Sequence, residues 1–395
     1  MFVSSAENCS FVISSVCIGD VSVSEQSMIS WSEAGEERSA RWQSENKSAA
    51  PKRVVIADDK MTADSAFRLA SEGNALLWRG DYQNARQLLQ ALARRIERKP
   101  RKIATSPLDA FNLHRQAQSQ RARTLGMLLV EIDADYTIVL RRAPDIKLAC
   151  NEAYGASTGP FIVSLREILG LIGAHEWRKN GVEIPALNAR IHPYYGVFSP
   201  VRGEYLNLIA EAPLPTTKLA FDVGTGTGVI AALLAQRGVE KVIATDQDAR
   251  ALACARENLM RLDLRDRVEV IEADLFPAGK AALIVCNPPW IPARPNSSIE
   301  YAIYDPDSRM LRGFLNGLAE HLEPKGEGWL ILSDLAEHLG LRTREALEQM
   351  IADAGLKLIK RIDIKPTHTK AADESDPLHK ARSAEITSLW RLAAR

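Results

Sequence analysis

The sequence predicts an α/β protein, in which a mostly parallel, seven-stranded sheet over residues 190–395 follows a smaller, mainly helical N-terminal part. Two observations lead to this prediction. From about Leu219 onward, short apolar runs alternate with segments of helical periodicity. Before that point, apolar residues recur mainly at the i, i+3 and i+4 spacing of amphipathic helices, as in Leu88, Leu89, Leu92 and Ile96.

The predicted sheet is built from five apolar runs, each of which ends in a polar or glycine-containing turn. The runs are KLAFDVG, KVIATD, VEVIEAD, AALIVCN and GWLILSD. Helices are predicted at Val229–Arg237, Ala249–Arg261, Arg309–Leu322 and Thr343–Ala354. Strands that alternate with helices indicate parallel pairing with right-handed crossovers, a Rossmann-like arrangement. Two later runs, LKLIKRIDI and EITSLWRL, are expected to add an antiparallel pair at one edge.

The first part of the chain divides at Met61. Residues 1–60 are rich in serine and show no sustained period, so we expect a flexible leader, with Met61 as a plausible translation start. Residues 61–185 are expected to form the mainly helical domain. Its predicted elements are helices on both sides of Gly80-Asp81 within 62–99, a helix at Leu108–Val130, a strand at Tyr136–Leu140 and a helix at Phe161–Gly173.

Composition excludes several classes of protein. The 395 residues carry 50 Lys+Arg against 50 Asp+Glu, and 46% of them are hydrophobic, which is typical of a globular chain rather than a disordered one. The five cysteines form no CxxC pair, so neither a zinc site nor a disulfide framework is expected, and no metal is predicted. No apolar run has the length needed to cross a bilayer, so a cytoplasmic protein without a membrane partner is expected.

A glycine-rich turn follows the first predicted strand and carries the first candidate site residues. Asp222 is followed by the run Gly224-Thr225-Gly226-Thr227-Gly228. Glycines allow a tight turn and a close approach of backbone to ligand, and the next helix points its N-terminus at that ligand. A tight strand–helix connection without a ligand is the alternative. The run is not a Walker A loop, because no Gly-Lys-Ser/Thr follows.

Two further acids end the next two predicted strands. Asp246 closes KVIATD, at nearly the spacing from the glycine turn that is typical of an acid that binds ribose hydroxyls. Asp274 closes VEVIEAD, where a carboxylate can accept a hydrogen bond from an adenine amino group. Ligands of such sheets bind at the carboxyl ends of the strands, so the three acids together predict a nucleotide-like ligand.

The most specific motif is Asn287-Pro288-Pro289-Trp290, directly after the run AALIVC. Two prolines hold the backbone extended and remove two amide donors. The loop therefore presents acceptors, namely the Asn287 side-chain oxygen and the Pro288 carbonyl, which suit the two hydrogens of a planar NH2 group. Trp290 is a candidate stacking surface for a planar substrate.

Taken together, these motifs resemble the class I S-adenosylmethionine-dependent methyltransferases over roughly residues 190–395. The resemblance implies an enzyme that uses S-adenosyl-L-methionine as its cofactor, bound by Asp222, Gly224, Thr225, Gly226, Gly228, Asp246, Asp274 and Asn287. Asn287–Trp290 resembles the NPPY-type loop of the branch that methylates amide or exocyclic amino nitrogens.

Within that branch, NPPWIP and Ala273–Phe276 resemble the release-factor glutamine methyltransferases. Pro200, Arg202 and Glu204 lie where that family has a Pro-Arg-Pro segment at its site, although glycine replaces the second proline and tryptophan replaces the tyrosine of NPPY. Gly196–Ser199 instead resembles a segment of the ribosomal-RNA guanine N2-methyltransferases. Tyr195, just before that segment, is a weaker candidate for the substrate pocket.

The predicted substrate is therefore a macromolecule, and a protein glutamine is favoured over nucleic acid. An exocyclic amine of RNA or DNA is the first alternative, and a non-catalytic scaffold that binds the cofactor is the second. A basic stretch could grip phosphates and so support the nucleic-acid alternative, although a solvated helix face is the favoured explanation. Its cations are Arg94, Arg95, Arg98, Lys99, Arg101 and Lys102, followed by Arg115, Arg121 and Arg123. The oligomeric state is not predicted.

Overall fold

The computed structural model describes residues 27–98, 102–200, 203–295, 298–366 and 373–395. Two sheets organise it, one in each half of the chain, and a short hairpin of β7 (Val182–Ile184) and β8 (Ala189–Ile191) lies between them. The first sheet is mixed and six-stranded, and the second has seven strands.

The N-terminal sheet has the order β1-β2-β6-β5-β4-β3. Its strands are β1 Met28–Glu33, β2 Glu36–Trp42, β3 Val54–Ala57, β4 Ala75–Trp78, β5 Leu128–Ile132 and β6 Phe161–Ser164. The helices that accompany it are α1 Ala63–Ser71, α2 Tyr82–Glu97, α3 Pro107–Leu125, α4 Lys147–Tyr154 and α5 Leu165–Asn180. Side-chain caps start several of them, as where Asp81 accepts from the Gln83 amide at 2.9 Å.

Several predictions for this part are wrong. Residues 28–57 form β1, β2 and β3 rather than a flexible leader, and residues 1–26 lie outside the described residues. Helices outnumber strands in 61–185, but they pack on a sheet that was not predicted. The segment Tyr136–Leu140 forms only an isolated bridge, because Tyr136 has a positive φ of 63°. Phe161–Ser164 is a strand that leads directly into α5.

A chain that starts at Met61 is expected to be severely destabilised, because it lacks three strands of the N-terminal sheet. Ile29, Trp31 and Trp42 are buried against Leu77 and Leu129. Burying one such side chain contributes about 1.5–3 kcal/mol, so the loss amounts to several kcal/mol. Thermal unfolding of the truncated and full chains measures the difference. Equal unfolding midpoints would show that the first sixty residues are dispensable for the fold.

The C-terminal sheet confirms the predicted Rossmann-like arrangement, with the order β11-β10-β9-β12-β13-β15-β14. Its strands are β9 Leu219–Val223, β10 Lys241–Asp246, β11 Val268–Glu272, β12 Ala281–Cys286, β13 Leu322–Ser333, β14 Leu356–Ile364 and β15 Thr387–Ala394. The first five are parallel, and β15 pairs antiparallel with both β13 and β14, as expected.

Helices cover both faces of this sheet and bury its apolar strands in two separate clusters. They are α6 Glu204–Glu211, α7 Val229–Gln236, α8 Ala249–Arg261, α9 Arg309–His321, α10 Leu335–His338, α11 Arg344–Asp353 and α12 His379–Ala384. The strand order reverses between β9 and β12, and this crevice is where open α/β sheets bind ligands.

Candidate active site

The glycine-rich turn joins β9 to α7 and adopts a backbone that requires glycine. Gly224, Gly226 and Gly228 have φ values of 75°, 54° and 83°, in the left-handed region. A Cβ on Gly224 would also clash with the Met310 methyl group, whereas the space beside Gly226 is open. The turn therefore presents bare backbone to the crevice at the carboxyl end of β9.

Asp222 stabilises this turn through two hydrogen bonds. Its Oδ2 accepts from the Thr225 hydroxyl at 2.6 Å and from the Ala231 amide at 3.1 Å. The side chain is fully buried, which raises the pKa of Asp222 to about 7, against the opposing effect of those two hydrogen bonds. Asp222 does not line the cavity. It lies behind the glycine-rich turn, whereas the sequence predicted that it contacts the ligand.

Asp246 lies at the end of β10 and faces the same loop. Its Oδ2 accepts from the Gly226 amide at 3.0 Å, and its Oδ1 accepts from the Asp248 amide at 3.0 Å. Each oxygen of a carboxylate has a second lone pair, so both can still accept a hydrogen bond from a ligand. The structure thus places Asp246 at the cavity wall, where the sequence predicted it.

Two predicted cofactor residues are not brought to the cavity. Asp274 is exposed, and its carboxylate accepts from Gln247 and from Arg309, while its neighbours Ala273 and Leu275 line the wall. Gly228 starts α7, and a Cβ there would lie 3.3 Å from Ala255 on α8. Close packing of two helices is therefore the structural reason for glycine at 228.

A cavity of about 780 Å³ connects the glycine-rich turn with the Asn287–Trp290 loop. Besides Asp246, the predicted residues at its wall are Gly224, Thr225, Gly226, Asn287, Pro288, Pro289, Trp290, Pro200 and Glu204, together with Gly196–Ser199. Tyr195 is not among them, because its ring packs on the N-terminal core. Arg202 lies outside the described residues.

The Asn287–Trp290 loop follows β12 and is held by its own side chains. The Trp290 indole N–H donates to Asn287 Oδ1 at 2.9 Å. Since an indole nitrogen only donates, this contact identifies the oxygen of the Asn287 amide and leaves it one lone pair. The ring of Trp290 meets the ring of Tyr205 edge to face, with centroids 6.3 Å apart.

The sequence analysis missed several cavity residues. Tyr205 on α6 is buried at the cavity wall, and Phe111 and His114 on α3 come from the N-terminal part. No local motif marks Tyr205, Phe111 or His114, because the tertiary fold brings them to the site. Ser199 belongs to the Gly196–Ser199 segment already noted in the sequence, and its hydroxyl has no hydrogen-bond partner among the described residues.

The described residues also bear on metal binding, on membrane spanning and on the thiol of Cys286. No group of three or more His, Cys, Asp or Glu side chains there is placed to hold a metal ion. None of the described helices is both long and apolar enough to span a membrane. Cys286, next to Asn287, is fully buried in β12, and burial raises the pKa of its thiol well above the ordinary value.

The cavity fits a nucleoside-type cofactor. Its volume lies within the range of about 300–1,000 Å³ that is typical of small-molecule sites. Asp246 offers two acceptors for ribose hydroxyls, and the unpartnered Ser199 hydroxyl offers a further polar contact. The positive-φ glycines leave room for a ligand against the backbone.

The strand order, the glycine-rich turn after β9 and the acid at the end of β10 are consistent with the Rossmann-like methyltransferase fold. Residues 190–355 match the family described as Methyltransferase small domain. The protein is thus an enzyme that transfers methyl groups from S-adenosyl-L-methionine.

Two kinds of relative are similar to the chain. A tRNA1(Val) (adenine(37)-N6)-methyltransferase of Shewanella loihica is 28% identical over 212 residues, which cover 50% of this chain and 84% of the relative. A release factor glutamine methyltransferase of Caulobacter vibrioides is 30% identical over 158 residues, which cover 38% of this chain and 54% of the relative. The chain therefore spans only about half the length of the second relative.

Proposed function

We propose that the protein methylates a planar NH2 group, most simply the side-chain amide of a protein glutamine. The observation that carries this proposal is the position of Asn287. Asn287 and Pro288 line the same cavity as Asp246 and the glycine-rich turn, and each carries an acceptor oxygen. Two acceptors beside a cofactor site suit a nitrogen that must present its lone pair to the cofactor.

When bound, the cofactor would supply an electrophilic methyl group, and its sulfur would leave as a neutral thioether without acid catalysis. The methylated nitrogen would then release one N–H proton to solvent. Asp246 would hold the ribose hydroxyls, and Ala273 and Leu275 would pack against the adenine. The remaining lone pair of Asn287 Oδ1 would accept one N–H of the acceptor amide, and the Pro288 carbonyl the other. This orients the nitrogen and favours the positive charge that develops on it.

Charge supports a protein acceptor. The carboxylates at the described cavity wall belong to Glu204, Asp246, Asp248 and Glu385. The arginines there are Arg309 and Arg382. Both arginines are ion-paired, with Asp274 and Asp376 respectively. Binding a phosphate backbone depends on cations, and this wall has an excess of carboxylates. In the basic stretch, Arg95, Arg115 and Arg121 are also engaged in ion pairs.

An exocyclic amine of RNA is the second candidate acceptor. Aromatic rings surround the acceptor side of the cavity, namely Phe111, Tyr205, Trp290, Tyr301 and Tyr304. Such rings suit a nucleobase that is turned out of its stack. The Shewanella loihica relative, whose name states an adenine-N6 activity on tRNA, is consistent with this candidate.

Transfer of labelled methyl groups distinguishes the two acceptors. An extract from a strain that lacks the enzyme is incubated with purified protein and tritiated S-adenosylmethionine, and portions are then digested with protease or with nuclease. We expect label that protease releases and nuclease does not, and peptide mapping then locates N-methylglutamine. The Asn287→Ala variant is the control, because label that appears equally with this variant does not come from catalysis at the site.

Nuclease-sensitive label would overturn the glutamine proposal and support the RNA candidate. The dependence on salt gives a second criterion, because binding to a phosphate backbone weakens steeply as salt increases. Absence of label from both fractions, with cofactor binding intact, would contradict both acceptors.

A further inference from the structure

Helix α3 of the N-terminal part reaches the opening of the active-site cavity. Phe111 and His114, on successive turns of this helix, line the cavity together with Ile303 and Tyr304. Phe111 is only 5% exposed and packs on Ile291, the residue after Trp290. A helix that lies far from the cofactor motifs in sequence thus forms part of the wall beside the candidate catalytic loop.

Arg115 on the same helix contacts a second segment of the cavity wall, which includes Tyr301–Tyr304. We name Glu300–Asp305 the mouth turn. Arg115 Nη1 donates to Glu300 Oε2 at 3.0 Å, and its Nη2 donates to the Arg294 carbonyl. The guanidinium carbon lies 4.0 Å from the centre of the Tyr304 ring. One side chain therefore makes an ion pair, a backbone hydrogen bond and a cation–π contact around this turn.

The mouth turn is itself bonded to the candidate catalytic loop. The Ile291 amide donates to the Ile303 carbonyl at 3.1 Å, and the Asp305 amide donates to the Ile291 carbonyl at 2.8 Å. The buried carboxylate of Asp305 then accepts from the first amides of α9, those of Met310 and Leu311. A displacement of the turn would therefore be transmitted to Ile291, one residue from Trp290.

The outer part of the opening is apolar. Tyr301 is 67% exposed and Ile303 is 40% exposed, and both line the cavity. Exposed aromatic and aliphatic side chains beside a cavity are typical of a surface that binds a partner. They extend the acceptor side of the cavity toward solvent, next to Phe111 and His114 of α3.

We infer that α3 is one wall of the acceptor-binding site and that Arg115 is a positioning residue for the mouth turn. In this arrangement, the N-terminal part takes part in acceptor recognition. The polypeptide that flanks the target amide contacts Phe111, Tyr301 and Ile303. Arg115 holds the mouth turn in a fixed position relative to Asn287. This inference rests on the proposed methyl transfer to a planar NH2 group of a protein.

The kinetic test compares Arg115→Ala with the full-length wild type. The substrate is the protein fraction of the strain that lacks the enzyme, at varied concentration. We expect the apparent KM for this fraction to rise about tenfold, because the mouth turn is no longer held beside the acceptor site once its charge-assisted hydrogen bonds to Arg115 are lost. The dissociation constant of S-adenosylhomocysteine, measured by calorimetry, is expected to stay unchanged.

Matched variants separate positioning from general damage to the fold. Arg123→Ala removes an exposed arginine from the same helix and should leave both constants unchanged. Arg115→Lys keeps the charge but not the planar fork, so it should restore the KM only in part. An unchanged KM in Arg115→Ala, or a KM rise matched by equal loss of S-adenosylhomocysteine affinity, would overturn the inference.

A second measurement needs no acceptor, so it stays informative if the proposed function fails. Hydrogen exchange of the Ile291 and Asp305 amides reports directly on the bonds between the mouth turn and the catalytic loop. Both amides should exchange faster in Arg115→Ala than in Arg123→Ala. Equal rates in the two variants would overturn the role of Arg115, whichever macromolecule proves to be methylated.

Discussion

Replacement of Asn287 by alanine is expected to reduce kcat by a factor on the order of 10²–10³, the usual cost of removing one oriented group from a reacting centre. In the proposed arrangement, the variant would lose the side-chain oxygen that orients the acceptor amide. Affinity for S-adenosylhomocysteine should persist, because Asp246 and the glycine-rich turn remain in place. Methyl transfer into the labelled acceptor fraction and calorimetry of cofactor binding measure the two effects separately.

The contact between Asn287 and Trp290 calls for a control, because Asn287→Ala also leaves the indole N–H without its partner. Trp290→Phe keeps an aromatic ring and lacks the N–H, so it removes the same hydrogen bond from the other side. We expect a much smaller loss of kcat in Trp290→Phe than in Asn287→Ala. Equal losses would mean that Asn287 acts by fixing the tryptophan ring and does not contact the acceptor.

Replacement of Asp246 by alanine is expected to weaken binding of S-adenosylhomocysteine about a hundredfold or more. In the proposed binding mode, two hydrogen bonds from ribose hydroxyls to the carboxylate would be lost, each worth about 1.5–3 kcal/mol. The Gly226 amide also loses its partner, so the glycine-rich turn is less well ordered. Calorimetric titration of the purified variant gives the dissociation constant directly.

Asp274→Ala provides the comparison for that experiment. The sequence predicted that Asp274 binds the adenine amino group, whereas the structure places its carboxylate outside the cavity, bonded to Gln247 and Arg309. We therefore expect this variant to retain most of its affinity for S-adenosylhomocysteine. A loss as large as that of Asp246→Ala would contradict this placement and support the interpretation from sequence.

The C-terminal sheet was predictable because its strands are buried on both faces. Such strands appear in sequence as continuous apolar runs, and polar residues mark their carboxyl ends. The same pattern located Asp246 and Asn287. It did not distinguish Asp246, which faces the cavity, from Asp222, which lies behind the loop, because both acids end a strand.

The N-terminal sheet was missed because its strands are short or polar. Ala75–Trp78 lies between two helices, and its four residues fit a continued helical pattern. Phe161–Ser164 leads directly into α5, so strand and helix form one apolar run. Glu36–Trp42 carries mostly polar residues and becomes a strand only through pairing with β1 and β6. Tertiary contacts therefore decide these elements, and local periodicity does not reveal them.

The order of strands at one edge of the C-terminal sheet has a consequence for protein synthesis. In the described chain, β14 pairs with β15, although β14 leaves the ribosome first. Until Thr387–Ala394 has been made, the segment Leu356–Ile364 has no strand to join, and its backbone amides and carbonyls stay unpaired beside the apolar Leu358 and Ile359. Lys357, Lys360 and Arg361 interrupt the apolar residues and discourage intermolecular pairing during this delay.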